Sequence, residues 1–324
     1  MLKVSSELPA LVRSSCAAVA ERAVSVRVEA EVIEPYAEAL GRSASQPLSL
    51  DPEHHYLGHG AGTVAFILTL DAINFGSGYF PHLKKLDGLS GYFTVAHHLT
   101  RYFDSDGPVN ADRLAGLTAH DCAGIFGQTE DDPDRAELMR LFAGALNELG
   151  RFVRTRYAGD FASLVEDAGK SATRLVGILA EVACFRDVAE YRGATVAFFK
   201  RAQLAASDLD LACAGEPWGA FTDLARLTVF ADNALPHVLR IDGLLRYSSD
   251  LAARIDRGDP LEAGSEEEVE IRACTVHACE QIAEAIRRRH PGFMTRDLDY
   301  LLWNRGRLPQ YMRLPRHRCK TIYY

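Results

Sequence analysis

Apolar residues in this chain recur every three or four positions and almost nowhere every two. Leu138, Phe142, Ala145, Leu149 and Phe152 follow that spacing, which lines one face of an α-helix, and Pro133 and Asp134 mark its start. A second helix opens at Ser265 with Glu268 three residues on, the pattern of a capping box. It continues through Val269, Ala273, Val276, Cys279 and Ile282 to the basic run at 287–289, which suits a helix C-terminus. Only over 24–32 do apolar Val24, Val26 and Val28 alternate with polar Ser25, Arg27 and Glu29, as a short strand would. The pattern predicts an all-α protein, a single large helical domain over 1–324 or two closely packed lobes, with room for one short strand or hairpin. No internal repeat, low-complexity tract or long polar linker interrupts it. The breaks expected are loops at 42–52, 128–133 and 257–264.

Composition narrows the class of function. With 324 residues, 48% hydrophobic and 25% charged, the chain can bury a sizeable core. No stretch reaches the ~18 consecutive apolar residues of a membrane span, and the N-terminus lacks the basic-then-apolar layout of a signal peptide. The expectation is a soluble, cytoplasmic protein. Its seven cysteines, at 16, 122, 184, 213, 274, 279 and 319, show no CxxC spacing, so reduced thiols are expected rather than a metal cluster. The formal charge of −8 disfavours a polyanion ligand unless the basic groups segregate. A small-molecule substrate is therefore expected, with no stable nucleic-acid binding, while oligomeric state is left open.

Some side chains are not explained by helix patterning. Asp232 follows Val229, Phe230 and Ala231, and Pro236 comes four residues later, a placement that suits the first turn of a helix. Asp232 should stand at a helix N-terminus, where free N–H groups favour a carboxylate. An ordinary cap and a group that stabilises a developing cation both fit. At 74–78, NFGSG ends an apolar helix starting near Gly62, and its glycines suit either a helix stop or close backbone approach to a ligand. His54, His55 and His59 invite a metal reading, but no HExxH or other ligand spacing supports one. His97 and His98 lie on an expected helix over 90–103, where neighbours point about 100° apart, so at least one should be a surface residue. Lys200 and Arg201 read either as a solvated basic patch or as groups for an anion. From 301 to 324 there are Arg305, Arg307, Arg313, Arg316, Arg318 and Lys320 with no acidic residue, a second candidate anion site. Asp299 and Trp303 share a helix face and could present a carboxylate and an indole to one ligand.

Seven segments in order, LDAINFGSGYFP at 70–81, CFRDVAEYRG at 184–193, FFKRAQLAASD at 198–208, LTVFADNALPHVLR at 227–240, EVEIRACTVHACEQI at 268–282, LDYLLWNRGR at 298–307 and HRCKTIYY at 317–324, resemble the queuosine salvage protein family. The resemblance spans almost the whole chain. It implies a fold related to the helical DNA base glycosylases and hydrolysis of queuosine 5′-phosphate to queuine and ribose 5-phosphate, without metal or organic cofactor. Queuine is a 7-deazaguanine, so protonating N7 to improve the leaving group is closed, and the sugar side must carry the catalysis. On that footing Asp232 would stabilise or attack the anomeric carbon, and Phe230 would stack on the base or close the pocket. His55 would hydrogen-bond the substrate, and Asn74 would offer a donor and an acceptor to a base edge. Lys200 would approach Asp232 or hold the phosphate, as Arg201 also could. Asp299 would be an anionic acceptor for queuine's amino group or diol, with Tyr300 and Trp303 beside it. The chain departs from animal members at Asn304, where they carry an acidic residue, and at His277, where some relatives carry an aromatic one. The alternatives are a glycosylase acting on a base in a polymer and a non-catalytic queuine-binding protein.

Overall fold

The computed structural model describes residues 7–42 and 48–324. The layout read at the N-terminus and the break expected at 42–52 fall partly on residues 1–6 and 43–47, outside the described residues. The architecture is mostly helical, and one continuous apolar cluster runs from Leu8 to Tyr311. The helix read from Leu138 to Phe152 extends over Pro133–Tyr157, with Asp132 as its cap and Arg154 and Arg156 in its last turn. The helix read from Ser265 spans Glu266–Arg287. Ser265 caps it by accepting the Glu268 N–H, but the Glu268 carboxylate takes the Gly264 N–H instead of returning to Ser265, so only half of the expected capping box forms. Helices Leu8–Ala20 and Ala30–Gly41 pack on this long helix.

At the centre, helix Ala61–Ala72 lies against helix Lys200–Ala212. Every residue from Thr63 to Ala72 is buried, which makes this helix apolar on all sides rather than amphipathic. Asp71 and Thr69 are therefore carried into the interior by the helix itself. Of the alternating stretch at 24–32, only Val26–Val28 forms a strand, antiparallel to Leu245–Tyr247. Val24 is 73% exposed and a helix already begins at Ala30, so the strand is shorter than its pattern. A hairpin the alternation did not reveal pairs Val188–Tyr191 with Ala194–Ala197. Its two-residue turn, Arg192 and Gly193, has positive φ at both positions, the twist that a tight hairpin prefers. The expected loops at 128–133 and 257–264 separate secondary elements, the latter carrying the short strand Pro260–Leu261 that runs parallel to Arg318–Cys319. No helix among the described residues is long and apolar enough to cross a membrane. All seven cysteines are buried free thiols.

One buried ion pair ties these parts together. The Arg272 guanidinium donates to both Asp187 oxygens, at 3.0 and 2.6 Å, and through Nε to the Ala231 carbonyl at 3.1 Å. It lies 3.9 Å above the Phe198 ring and 4.7 Å from that of Tyr324, whose hydroxyl donates to Glu268. Asp187 in turn accepts the N–H groups of Phe198, Phe199 and Lys200. The hairpin, the start of helix Lys200–Ala212, the loop before Asp232 and the C-terminal residue thus share one anchor. Arg272→Met should cost about 3–5 kcal/mol, because it strands the Asp187 carboxylate away from water. Pairing it with Asp187→Asn should recover part of the loss; urea unfolding measures both.

Candidate active site

Asp232 stands two residues ahead of helix Ala234–Ile241, and its Oδ1 accepts the N–H groups of Ala234 at 2.6 Å and Leu235 at 3.3 Å. The side chain is half-buried and fixed by the helix start that Pro236 announced. The segment before it is pinned on both flanks: Gln203 exchanges hydrogen bonds with Thr228, and Asp299 accepts the Phe230 N–H at 2.7 Å. Phe230 is buried yet stands outside the main apolar cluster that takes in Val229 and Ala231. Its ring is thus set apart from the continuous core.

Asp299 comes from helix Thr295–Arg305. Burial pushes its carboxyl well above the usual range and the neighbouring Asp232 charge adds to the shift, with the Phe230 N–H and Lys200 opposing. That setting weighs against the fully anionic acceptor suggested by its motif and biases Asp299 toward the protonated acid. Lys200, the first residue of its helix, is buried, and its ammonium donates to the Asn74 carbonyl at 3.2 Å and to Asn74 Oδ1 at 3.5 Å. Desolvation lowers its pKa, while Asp232, Asp71 and Asp299 hold the charge in place. Lys200 is therefore not part of a solvated patch. Asn74 also donates to Asp71 Oδ1 at 3.2 Å, so one donor and its side-chain acceptor are already engaged.

Two carboxylates not singled out from the sequence complete the cluster. Asp71 is buried with Oδ2 unpartnered, and burial followed by the Asp208 charge raises its pKa well above the ordinary value. Asp208 accepts the Tyr300 hydroxyl at 2.7 Å, and burial lifts its carboxyl to about 6. A signal did exist: an aspartate inside an unbroken apolar helix, as Asp71 is at 61–72, has no solvated face to occupy. Tyr92, also unnoticed, shares a hydrogen bond of 2.9 Å with His55 Nε2, while His55 Nδ1 faces the Asp51 carbonyl at 2.7 Å. Desolvation keeps the His55 pKa low, favouring the neutral ring. Trp303 meets Tyr92 edge-on at 6.1 Å and Phe93 at 5.9 Å. Asp232, Asp299, Tyr300, Lys200 and Asn74 thus fall in one polar cluster, and His55 and Trp303 reach it through Tyr92.

Other residues separate from it. Arg201 is buried, but its guanidinium donates to the carbonyls of Asp71, Ala72, Cys184 and Ile322 between the rings of Phe75 and Phe185, which leaves it no fork for a phosphate. In NFGSG, Gly76 has φ +100° and donates to the Tyr324 carbonyl, and a Cβ on Gly78 would meet the Cys319 carbonyl oxygen at 2.2 Å. The close approach is to the chain's own C-terminal segment. His54 contacts His97 through Nδ1 atoms 3.3 Å apart, His59 stacks on Tyr56, and no group of metal-ligating residues forms among the described residues. His97 and His98 are both half-buried, His98 against Gly127, so neither is the surface residue expected. His277 pairs with Gln281 beside a surface cavity of about 560 Å³ that shares no lining residue with the carboxylate cluster.

Residues 54–324 match the family described as queuosine salvage protein. The chain is 37% identical over 311 residues to a queuosine 5′-phosphate N-glycosylase/hydrolase of Sphaerobacter thermophilus, covering 94% of this chain and 95% of that one. It is 32% identical over 268 residues to the protein of that name from Dictyostelium discoideum, covering 81% and 78%. The Bos taurus protein of that name is 31% identical over 247 residues, or 72% of each chain.

The raised acids give the cluster a defined pH signature. Asp208 moves from an ordinary 3.8 to about 6 on folding, so the folded state favours the protonated form. Its contribution to stability is complete below about 4 and is lost as pH rises through about 6. Asp208→Asn should flatten the stability profile across that window, where one group can contribute at most about 1.4 kcal/mol per pH unit. Urea midpoints taken at successive pH values check this, and parallel wild-type and variant curves would contradict it.

Proposed function

The chain belongs to the queuosine salvage protein family, and from that premise we propose how its residues carry out the hydrolysis. The protein is a queuosine 5′-phosphate N-glycosidase, which cleaves the bond between the base and ribose to give queuine and ribose 5-phosphate. The C1′–N9 bond breaks with its electron pair leaving on the base, a proton returns to the base, and water supplies hydroxide to C1′. Asp232 stands against the anomeric carbon and stabilises the oxocarbenium-like transition state, or briefly bonds to it, as glycosidase carboxylates do.

The observation that carries this reading is the Asp232 carboxylate, locked by two backbone N–H groups beside a second carboxyl biased to keep its proton. A carboxyl biased toward its protonated form beside a charge-stabilising carboxylate is a recurring basis for dividing catalytic roles. In this assignment Asp299 meets the base edge as a hydrogen-bond donor. Lys200 holds the local charge in balance with Asp71 and Asp232. Phe230 and Trp303 flank the base, and His55, Asn74 and Tyr300 line the polar end of the pocket. The neutral 7-deazaguanine ring has no N7 for an acid to act on, so stabilisation on the sugar side carries the larger share of the barrier.

Asp232→Asn separates chemistry from capping, since asparagine caps about as well as aspartate but carries no charge. Stability should stay within roughly 0.5 kcal/mol of wild type, while kcat falls on the order of a hundred-fold or more. Steady-state release of free queuine measured by chromatography tests it. A folded variant keeping about half its turnover would shift the role to Asp299. Prolonged chelation should leave turnover unchanged, because no metal enters the proposed chemistry; stoichiometric zinc by elemental analysis, with activity lost on its removal, would refute that.

A further inference from the structure

Helices Leu8–Ala20 and Ala30–Gly41 precede the residues that match the family, and together with helix Glu266–Arg287 they wall the surface cavity of about 560 Å³. None of its lining residues enters the chemistry proposed for the carboxylate cluster. Its apolar lining includes the side chains of Ala17 and Ile33, and its polar lining is made of three arginines, three glutamates, His277 and Gln281.

The arginines are already committed. Arg288 pairs with Glu34 and Arg287 with Glu284, and both pairs are open to solvent. Arg13 donates through Nε to Glu280 Oε2 at 3.0 Å and through Nη2 to the Leu227 carbonyl at 2.9 Å, so its guanidinium is held between the two. Glu280 is not matched in the same way. Its Oε1 is buried and has no hydrogen-bond partner among the described residues. Burial raises its carboxyl above the usual range although Arg13 opposes, so one guanidinium does not compensate for the water this group has lost. His277 adds no cation, because its Nε2 accepts from the Gln281 amide at 2.6 Å and desolvation favours the neutral ring.

The cavity therefore lacks a donor, not an acceptor. A buried charged acceptor left unpaired is costly, whereas exposed ion pairs such as those of Glu34 and Glu284 contribute little and exchange partners readily. The last torsion of a glutamate is soft, so a small turn presents Oε1 to the cavity. We propose that this cavity is a second binding site, for a small aliphatic ammonium ion whose charged end takes Glu280 and whose carbon chain lies on Ala17 and Ile33. A cation suits the site better than a neutral donor, since it also offsets the carboxylate charge that Arg13 alone leaves under-compensated. The chain's formal charge of −8 draws such ions from solution. Glu34 and Glu284 offer a place to a second ammonium group, which makes a linear diamine the fitting probe.

The test is calorimetric titration of the full chain with putrescine in about 0.15 M NaCl, where attraction between distant charges is largely screened. Wild type should bind the diamine saturably. Glu280→Gln keeps the side-chain size and an acceptor for Arg13 but removes the charge, and it should weaken binding on the order of tenfold or more. Ala17→Met fills the cavity, leaves every carboxylate in place and should weaken binding as well. Glu53→Gln, at an exposed position that does not line the cavity, should leave binding unchanged. Unfolding curves confirm that each variant is folded, and either of the two cavity variants suffices if the other is not. Absence of saturable binding to wild type overturns the proposal, as does unchanged binding to a folded Glu280→Gln or Ala17→Met protein. It is overturned also if Mg²⁺ at equal concentration displaces the diamine, which would reduce the effect to the general attraction of an acidic surface. The site is independent of the glycosidase reading, so these results stand whatever the hydrolysis assay shows.

Discussion

A buried arginine has to be paired or the fold around it does not hold, and Arg272 meets that requirement with Asp187 while spanning four parts of the chain. Its guanidinium is 2% exposed and is sandwiched against the rings of Phe198 and Tyr324, where water cannot substitute for a missing partner. The Asp187 carboxylate also accepts the Lys200 N–H, and its main-chain carbonyl accepts those of Phe198 and Phe199, the latter a non-glycine residue held at φ +48°. Such a conformation persists only when its surroundings over-determine it. The same guanidinium grips the Ala231 carbonyl, so the position of Asp232 depends directly on this pair.

The carboxylate cluster follows from what those anchors force together. Helix Ala61–Ala72 is apolar on every side, so Asp71 cannot reach water, and the adjacent helix places Asp208 and Lys200 against it. Desolvation is the first cause of the raised acids at Asp71, Asp208 and Asp299 and of the lowered lysine. Repulsion from neighbouring carboxylates adds to the shift at Asp71 and Asp299, and the lysine limits all three. Groups with perturbed proton affinities concentrate where chemistry is carried out, and here they surround a carboxylate that the backbone holds fixed.

Individual residues show where legibility ended. Asp232 could be placed at a helix start because Pro236 and the apolar run before it are local signals, and local signals survive folding. Asp71 and Asp208 were missed because their significance lies in proximity across 137 positions of sequence, which periodicity does not encode. Arg201 and Lys200 stand side by side in one motif yet face opposite tasks, since consecutive helix positions diverge by about 100°. One turns to backbone carbonyls and the other to Asn74, within the field of the carboxylates. The hairpin at 188–197 was hidden because its pairing depends on an Arg192–Gly193 turn with unusual backbone angles rather than on a clean apolar alternation.

The sequence by itself determined the helical class, the span and start of its longest helices, the position of Asp232 and the likeness to a salvage family, because each rests on short-range pattern or on ordered motifs. Tertiary structure alone decided which charges are sealed from water and which remain available. That decision set the proton affinities of Asp299 and Asp208 and consumed Arg201 as a backbone clamp. The physical reason is that a charge acquires its chemistry from its dielectric surroundings and its partners, and both are supplied by residues distant in the chain.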